Sequence, residues 1–327
     1  MKENNHFLRE PIIFIEPTNV CNLRCPICPS NNEMTRGRGF MKREIFEKIV
    51  DEVKDQKLCL NLWGWGEPLL HPEVFSFVKY ASEAGVKVRL STNLEKIRQA
   101  TIPNLVNSGL DMLIFSFDGF SQEVYSEYRV GGDIEHTKLV LRQIVDSKRN
   151  LGANRPRLVA TTLITKSVLP ELNDIIEYSR ATGVDAVLLK YPDLWRSGKS
   201  EKTVLDLYKR FIVEDPSMSR YQTVTGNIQE SIIPINSTDC LFHDKNGVIL
   251  WDGDVTVCCY DHDGKHVFGN VRESSYGQVL NSEAKKVKWA NMSTKQLDIC
   301  QYCDTSGPRT RTIILNNNLK TKDFVYL

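Results

Sequence analysis

The sequence predicts an α/β protein: a partial (β/α)6 TIM-like barrel followed by a small β-hairpin-plus-helix module. Three observations carry this expectation. Up to residue 190, short apolar runs alternate six times with longer amphipathic ones, the pattern of repeated β–α units around a parallel sheet. Six units suit an incomplete barrel better than a closed eight-fold one. After residue 240 the pattern changes to short strands around a turn pair, and cysteines gather there.

The elements follow in order. IIFIEP (12–17) reads as the first strand, and 40–56 as a helix with Ile45, Ile49 and Val53 on one face. LCLNLW (58–63) is a strand, and 71–85 a helix ended by a glycine. Strand 86–92, helix 102–109 and strand 111–119 come next. Helix 134–150, strand 157–165, helix 169–183 and strand 184–190 complete the repeats. Residues 191–239 read as irregular or weakly helical. GVILWDGDVTVCCYD (247–261) reads as a hairpin turning at Asp252-Gly253, with a helical stretch at 278–292 behind it. The expected organisation is a barrel over 1–200, a linker over 201–235, a cluster-binding module over 236–310 and a tail over 311–327. Catalytic groups are expected at the carboxyl ends of the strands.

Composition narrows the function. With 327 residues, 41% of them hydrophobic, the chain can bury a sizeable core. The net charge is +1 and no basic run suggests a nucleic-acid or membrane surface, although a small charged or phosphorylated substrate stays open. The polar start MKENNHFLREP is no signal peptide, and no stretch reaches the roughly 18 apolar residues of a membrane helix. A cytoplasmic location is expected. There the nine cysteines stay reduced, which points to metal ligation or catalysis over disulfides.

Cys21, Cys25 and Cys28 form C-x3-C-x2-C directly after the first predicted strand. A loop there can aim three thiolates at one centre, and thiolates suit iron–sulfur clusters or zinc. A closed zinc site wants four ligands, so zinc would need a distant fourth residue. Three ligands leave one iron of a cubane open. This motif, in a β/α chain of this size, resembles the radical S-adenosylmethionine (radical SAM) superfamily over roughly residues 10–310.

The resemblance implies a [4Fe–4S] cluster on Cys21, Cys25 and Cys28 whose open iron chelates S-adenosyl-L-methionine (SAM). One-electron reduction then cleaves SAM to a 5′-deoxyadenosyl radical that abstracts a substrate hydrogen. A reductase such as flavodoxin or ferredoxin is the implied electron donor. Gly64 to Pro68 reads G-W-G-E-P; Gly66, Glu67 and Pro68 match the family's G-G-E-P contact to the SAM amino group, while Trp65 replaces the usual first glycine. Ser91 and Asn93 match ribose contacts. Ser116 and Asp118 match polar positions after the fourth strand, and Arg129 resembles an arginine that holds the SAM carboxylate. Each polar residue alone also reads as a turn or helix cap.

The second group, Cys240, Cys258, Cys300 and Cys303, is spaced C-x17-C-x41-C-x2-C. Four thiolates form a closed site, which zinc would also accept. The segment resembles the SPASM/twitch extension of radical SAM enzymes, including Gly269-Asn270. No cysteine follows Cys303, so the shorter twitch form with one auxiliary [4Fe–4S] cluster is expected, two clusters in all. Size and layout resemble the aminocyclitol dehydrogenases. Cys259 remains. Adjacent strand residues point to opposite faces, so Cys258 and Cys259 are not expected to share one cluster. Cys259 reads either as a hydrogen-atom donor, as in carbohydrate and peptide epimerases of the superfamily, or as a small buried hydrophobe. Cys59, between leucines, reads as core.

Tyr191, Asp193, Trp195 and Arg196 follow the sixth strand and read either as substrate contacts or as linker. Asp261, His262 and Asp263 read as a turn in preference to a binding group, and His71 as the start of a helix, not a ligand. The expected reaction is hydrogen abstraction from a small polar substrate, a sugar or aminocyclitol carbinol, ending in dehydrogenation or epimerisation. Peptide modification stays open, weakened because no peptide-recognition module precedes Cys21. A non-catalytic electron-transfer or zinc-binding protein is the alternative of another class.

Overall fold

The computed structural model describes residues 11–194, 199–215, 218–219, 221–224, 227–230, 246–301, 303 and 310–316. At its centre lie β1 (Ile12–Ile15), β2 (Cys59–Leu62), β3 (Lys87–Thr92), β4 (Met112–Ser116), β5 (Arg157–Leu163) and β6 (Ala186–Lys190). They lie side by side in chain order, each parallel to the next. The helices expected between them are present, among them Arg43–Val53, Val74–Glu83, Ile134–Asn150 and Leu172–Thr182. Gly183 ends the last of these with a φ of +94°, a left-handed cap that suits glycine.

Strand alternation separates two cores. One set of side chains, including Ile13, Leu60, Val88, Leu113 and Leu158, packs with helix residues such as Phe46, Ile49 and Phe77 in the main hydrophobic cluster. The other set builds a smaller cluster of Met112, Ile114, Val159, Ala186 and Leu188, with Trp63 against it. Continuing that second set toward the carboxyl ends gives Ser116, Thr161, Leu163 and Lys190. The inner face therefore turns from apolar to polar where the site lies.

The later strands are β7 (Tyr221–Val224), β8 (Asn227–Glu230), β9 (Val248–Ile249), β10 (Asp254–Thr256), β11 (Val267–Asn270) and β12 (Thr310–Ile314). Among the described residues β7 and β8 pair only with each other. The other four extend the main sheet to ten strands in the order β11-β10-β9-β1-β2-β3-β4-β5-β6-β12. β9 runs parallel to β1, and β12 antiparallel to β6. The hairpin thus continues the barrel's sheet, part of the tail packs on its other edge, and the sheet stays open.

Residues 191–239, read as irregular or weakly helical, hold more regular structure than that. Glu201–Phe211 is a regular helix, capped by Ser200. Val204, Tyr208 and Phe211 stand at helical spacing and pack with Ile27, Leu194 and Tyr221 in a cluster of their own. Because Ile27 lies within the first cysteine motif, this segment covers the cysteine loop. Gln122–Tyr128 is a further helix that periodicity did not show; Ser121 caps it by accepting a hydrogen bond from the Val124 N–H.

Candidate functional site

A cavity of about 320 Å³ opens at the carboxyl ends of the six parallel strands. Cys21, Cys25 and Cys28 line it, as do Gly66, Glu67, Ser91, Asn93, Ser116 and Arg129. Pro68 does not. It is buried and begins the short Pro68–Leu70 helical turn behind the loop.

The loop that carries the thiols is held by backbone contacts. A Cβ on Gly66 would lie 2.3 Å from the Thr18 carbonyl oxygen and 2.7 Å from that of Val20. The Glu67 N–H donates to that same Val20 carbonyl at 2.8 Å. Only glycine permits this approach. Trp65, in place of the family's first glycine, leaves that contact intact, because the close approach occurs at Gly66.

Glu67 is buried, and its carboxylate accepts from the Leu69 N–H (2.9 Å), the Thr92 hydroxyl (2.7 Å) and the Asn93 N–H (2.7 Å). Burial pushes this carboxyl up, and the bonds from Asn93, Thr92 and Leu69 pull it back. The Asn93 side chain in turn donates to Asn22 Oδ1 at 3.2 Å, inside the cysteine motif. Glu67 thus organises the cavity wall through the end of β3.

Arg129 donates through Nε to Asp118 Oδ2 at 2.5 Å, and its Nη1 lies 3.6 Å from Cys25 Sγ. Asp118 also accepts from the Leu163 N–H. Burial pushes the Cys28 thiol up to about 12, with charge at Cys25 adding to the shift, and burial raises Cys21 as well. Cys28 and Cys21, whose ionisation burial opposes, need a cationic centre to become thiolates, which iron supplies. The residues fit a cluster held by Cys21, Cys25 and Cys28.

In the second group, Cys258 is buried and Cys300 and Cys303 are partly so. Burial pushes the Cys258 thiol well up, and charge at Cys259, Cys303 and Cys300 adds to it. These thiols are near neighbours. Cys240, Trp195 and Arg196 lie outside the described residues. Among the described residues, no three His, Cys, Asp or Glu side chains converge as a single-ion site; a cubane holds its thiolates farther apart than one ion does.

The premise that Cys258 and Cys259 alternate along a strand is not met. β10 ends at Thr256, and the two cysteines occupy the turn that follows. Asp261 builds that turn: it is buried and accepts from the Thr256 hydroxyl and from the Lys265 and His266 N–H groups. Cys259 is half-buried and lies close enough to Lys190 for its charge to be felt there.

The 258–263 segment spans the open side of the barrel. On one side the Tyr260 hydroxyl donates to Asp193, which follows β6 and also accepts from Tyr221. On the other, Asp263 accepts from the Thr35 N–H (2.6 Å) and hydroxyl (3.1 Å). Arg36 donates from Nε to the His262 carbonyl at 2.6 Å and pairs through Nη2 with the fully buried Glu16 at 2.7 Å. Glu16 also accepts from the Trp65 N–H at 3.1 Å. One buried ion pair therefore ties together the segment after β1, the G-W-G-E-P loop and the 258–263 turn.

His71 and Cys59 are structural. Nε2 of His71 donates to the Met41 carbonyl while Nδ1 accepts from the Glu73 N–H, and Cys59 is buried in the sheet. Lys190 was missed. Its signal lay in the period of two along VDAVLLK, which sets it on the face of Ala186 and Leu188 at the strand's carboxyl end.

Three thiols on the loop after the first strand of an open β/α barrel, with the turn that carries Cys258 and Cys259 laid across its open side, define the architecture of an iron–sulfur radical enzyme. Residues 15–151 match the radical SAM superfamily, and residues 240–304 match SPASM, an iron–sulfur cluster-binding domain. The chain thus carries a radical SAM domain and a SPASM domain, and with these come [4Fe–4S] clusters and SAM as cofactors.

Among curated proteins, the tungsten-containing aldehyde ferredoxin oxidoreductase cofactor-modifying protein of Pyrococcus furiosus is 24% identical over 306 residues, 86% of this chain and 83% of that one. The PqqA peptide cyclase of Rhodopseudomonas palustris is 25% identical over 120 residues, 37% of this chain and 31% of that one. Among solved structures, BtrN in complex with AdoMet and 2-DOIA shares the fold with a TM-score of 0.54 at 15% identity, over 91% of this chain and 94% of that one. SuiB of Streptococcus suis bound to precursor peptide SuiA gives 0.63 at 14% identity, over 90% and 71%. No helix among the described residues is long and apolar enough to cross a membrane.

Proposed function

We propose that this chain is a radical SAM dehydrogenase of a small polar substrate, a sugar or aminocyclitol oxidised at a carbinol carbon. The carrying observation is the 258–263 turn across the barrel's open side. The turn that carries Cys258 is bonded to Asp193 after β6 and to Arg36 after β1, the two edges of the strands whose carboxyl ends hold the cavity. When bound, the clusters and SAM supply reductive SAM cleavage, abstraction of one substrate hydrogen atom and acceptance of one electron. The substrate loses one hydrogen atom, one electron and one proton in becoming a ketone.

The chain's own residues do the rest. Cys21, Cys25 and Cys28 hold the first cluster, with Arg129 beside Cys25. Gly66, Glu67, Ser91, Asn93 and Ser116 shape the SAM-binding wall. Cys258, Cys300 and Cys303, with Cys240, hold a single auxiliary cluster of twitch type. The turn excludes water from the side of the barrel. A flavodoxin or ferredoxin delivers the reducing electron, in a cytoplasmic setting.

A second reading, oxidation of a peptide, is supported by the peptide cyclase among the relatives. Hydrogen return from Cys259, giving epimerisation, is a further outcome of the same first step.

Anaerobic reconstitution followed by dithionite and SAM should release 5′-deoxyadenosine, and SAM should perturb the reduced cluster's EPR signal. Neither effect appearing would sink the radical reading. With substrate, Cys259→Ala should leave dehydrogenation intact. Loss of turnover, or solvent deuterium at one substrate carbon, would point to epimerisation instead.

A further inference from the structure

We propose that Lys190 is the substrate-recognition cation of the cavity, so that the substrate carries an anionic group, a carboxylate or a phosphate, bound at the carboxyl end of β6. This deepens the dehydrogenase reading and rests on the cavity being the substrate site.

The argument is one of charge. Four charged side chains line the cavity: Glu67, Asp118, Arg129 and Lys190. Three are already committed. Glu67 accepts from Leu69, Thr92 and Asn93. Asp118 accepts from Arg129 and the Leu163 N–H. Arg129 spends Nε on Asp118 and turns Nη1 to Cys25. Lys190 alone among these four has no hydrogen bond or ion pair among the described residues. Its position is not that of a surface lysine. It is half-buried and registers with Leu163 of β5, one step beyond the Thr161–Leu188 pair on the same face.

Three groups make up its electrostatic surroundings: Asp118, Arg129 and Cys259. Asp118 is already shared between two donors, Arg129 repels an ammonium, and Cys259 is a thiol. Burial lowers the Lys190 ammonium below its ordinary value without a dedicated carboxylate to offset it. An ammonium in a lined cavity whose nearest carboxylate, Asp118, is already shared with two other donors is costly, and a ligand anion lowers that cost while gaining a charge-assisted hydrogen bond. Lys190 sits on β6, beside the 258–263 turn, whereas the cysteine loop follows β1 at the other side of the six parallel strands. That placement favours a substrate anion over the carboxylate of SAM.

The test uses the full-length chain, reconstituted and loaded with SAM, with inorganic phosphate and acetate as probes in anaerobic calorimetric titrations. Wild type should bind a probe saturably. Lys190→Met should weaken that binding by about tenfold or more, the worth of one charge-assisted hydrogen bond, and Lys190→Arg should largely restore it. SAM affinity should be unchanged in Lys190→Met. No saturable binding in wild type, or equal binding in Lys190→Met, would overturn the proposal. A fall in SAM affinity would overturn it too, by assigning Lys190 to the SAM carboxylate. Should Lys190→Met fail to fold, wild type carrying ¹³C-methylated lysines serves instead. The resonance missing from Lys190→Arg should shift on adding phosphate, and its failure to shift overturns the assignment. Failure of the radical reading is separate: no 5′-deoxyadenosine forms, whatever the probes do.

Discussion

Replacing Glu67 by glutamine tests how the cavity wall is built. The carboxylate serves two backbone donors that lie on different oxygens: Leu69 N–H on Oε1 at 2.9 Å and Asn93 N–H on Oε2 at 2.7 Å. The Thr92 hydroxyl also donates to Oε1, because its own oxygen accepts from the Leu94 N–H at 3.0 Å. An amide has one acceptor oxygen. Whichever way it turns, one backbone N–H faces an NH2 group and stays buried without a partner. An unsatisfied buried donor costs about 1–3 kcal/mol, and loss of the ionised acceptor weakens the bonds that remain. The expected destabilisation is therefore about 2–4 kcal/mol. Anaerobic urea unfolding measures it as a shift of midpoint at constant slope. Amide exchange at Leu69 or Asn93 should quicken in step, and SAM affinity should fall as the end of β3 loosens. A Glu67→Gln protein within about 0.5 kcal/mol of wild type, the range of an ordinary surface change, would refute the reasoning.

Other outcomes follow from the same contacts. Arg36→Met leaves Glu16 charged and buried, which should cost about 3–5 kcal/mol in urea unfolding, and adding Glu16→Gln should recover part of it. Gly66→Ala drives a Cβ into the Thr18 and Val20 carbonyls. It should cost about 1–3 kcal/mol and lower the iron bound at Cys21, Cys25 and Cys28, read by iron analysis and EPR. Cys258→Ala should lower the iron content while leaving reductive SAM cleavage in place; loss of cleavage would show that the two cysteine groups depend on each other for folding. His71 is held neutral, its folded pKa lowered below 6.5 chiefly by burial. The unfolded chain therefore binds its proton first, so this contribution is present above about pH 6.5 and is lost as pH falls through the lower folded value. His71→Gln should flatten that part of the stability–pH profile.

Much of the barrel was legible because its signals are local. The strand at 157–165 and the helix at 134–150 carry their periods within a few turns of chain. Gly85 and Gly183 mark helix ends by a conformation that other residues adopt at a cost. The Glu201–Phe211 helix was less visible. Its buried residues Val204, Tyr208 and Phe211 pack with Leu194 and Tyr221 and with Ile27, which is distant in sequence. β12 was hidden for a related reason: an edge strand is defined by the partner it pairs with, here β6.

By itself the sequence determined the open six-unit barrel and the two cysteine groups, because a strand's alternation and the spacing of thiols on one loop are properties of neighbouring residues. Tertiary structure decided how those parts are used. It placed Cys258 and Cys259 in a turn, because Asp261 draws Thr256, Lys265 and His266 together. It laid that turn across the barrel through Arg36, Glu16 and Asp193. It also left Lys190 at the cavity wall without a hydrogen bond or ion pair among the described residues. Each outcome depends on which distant segments meet and on which charges are already satisfied when they do, and no local pattern encodes that.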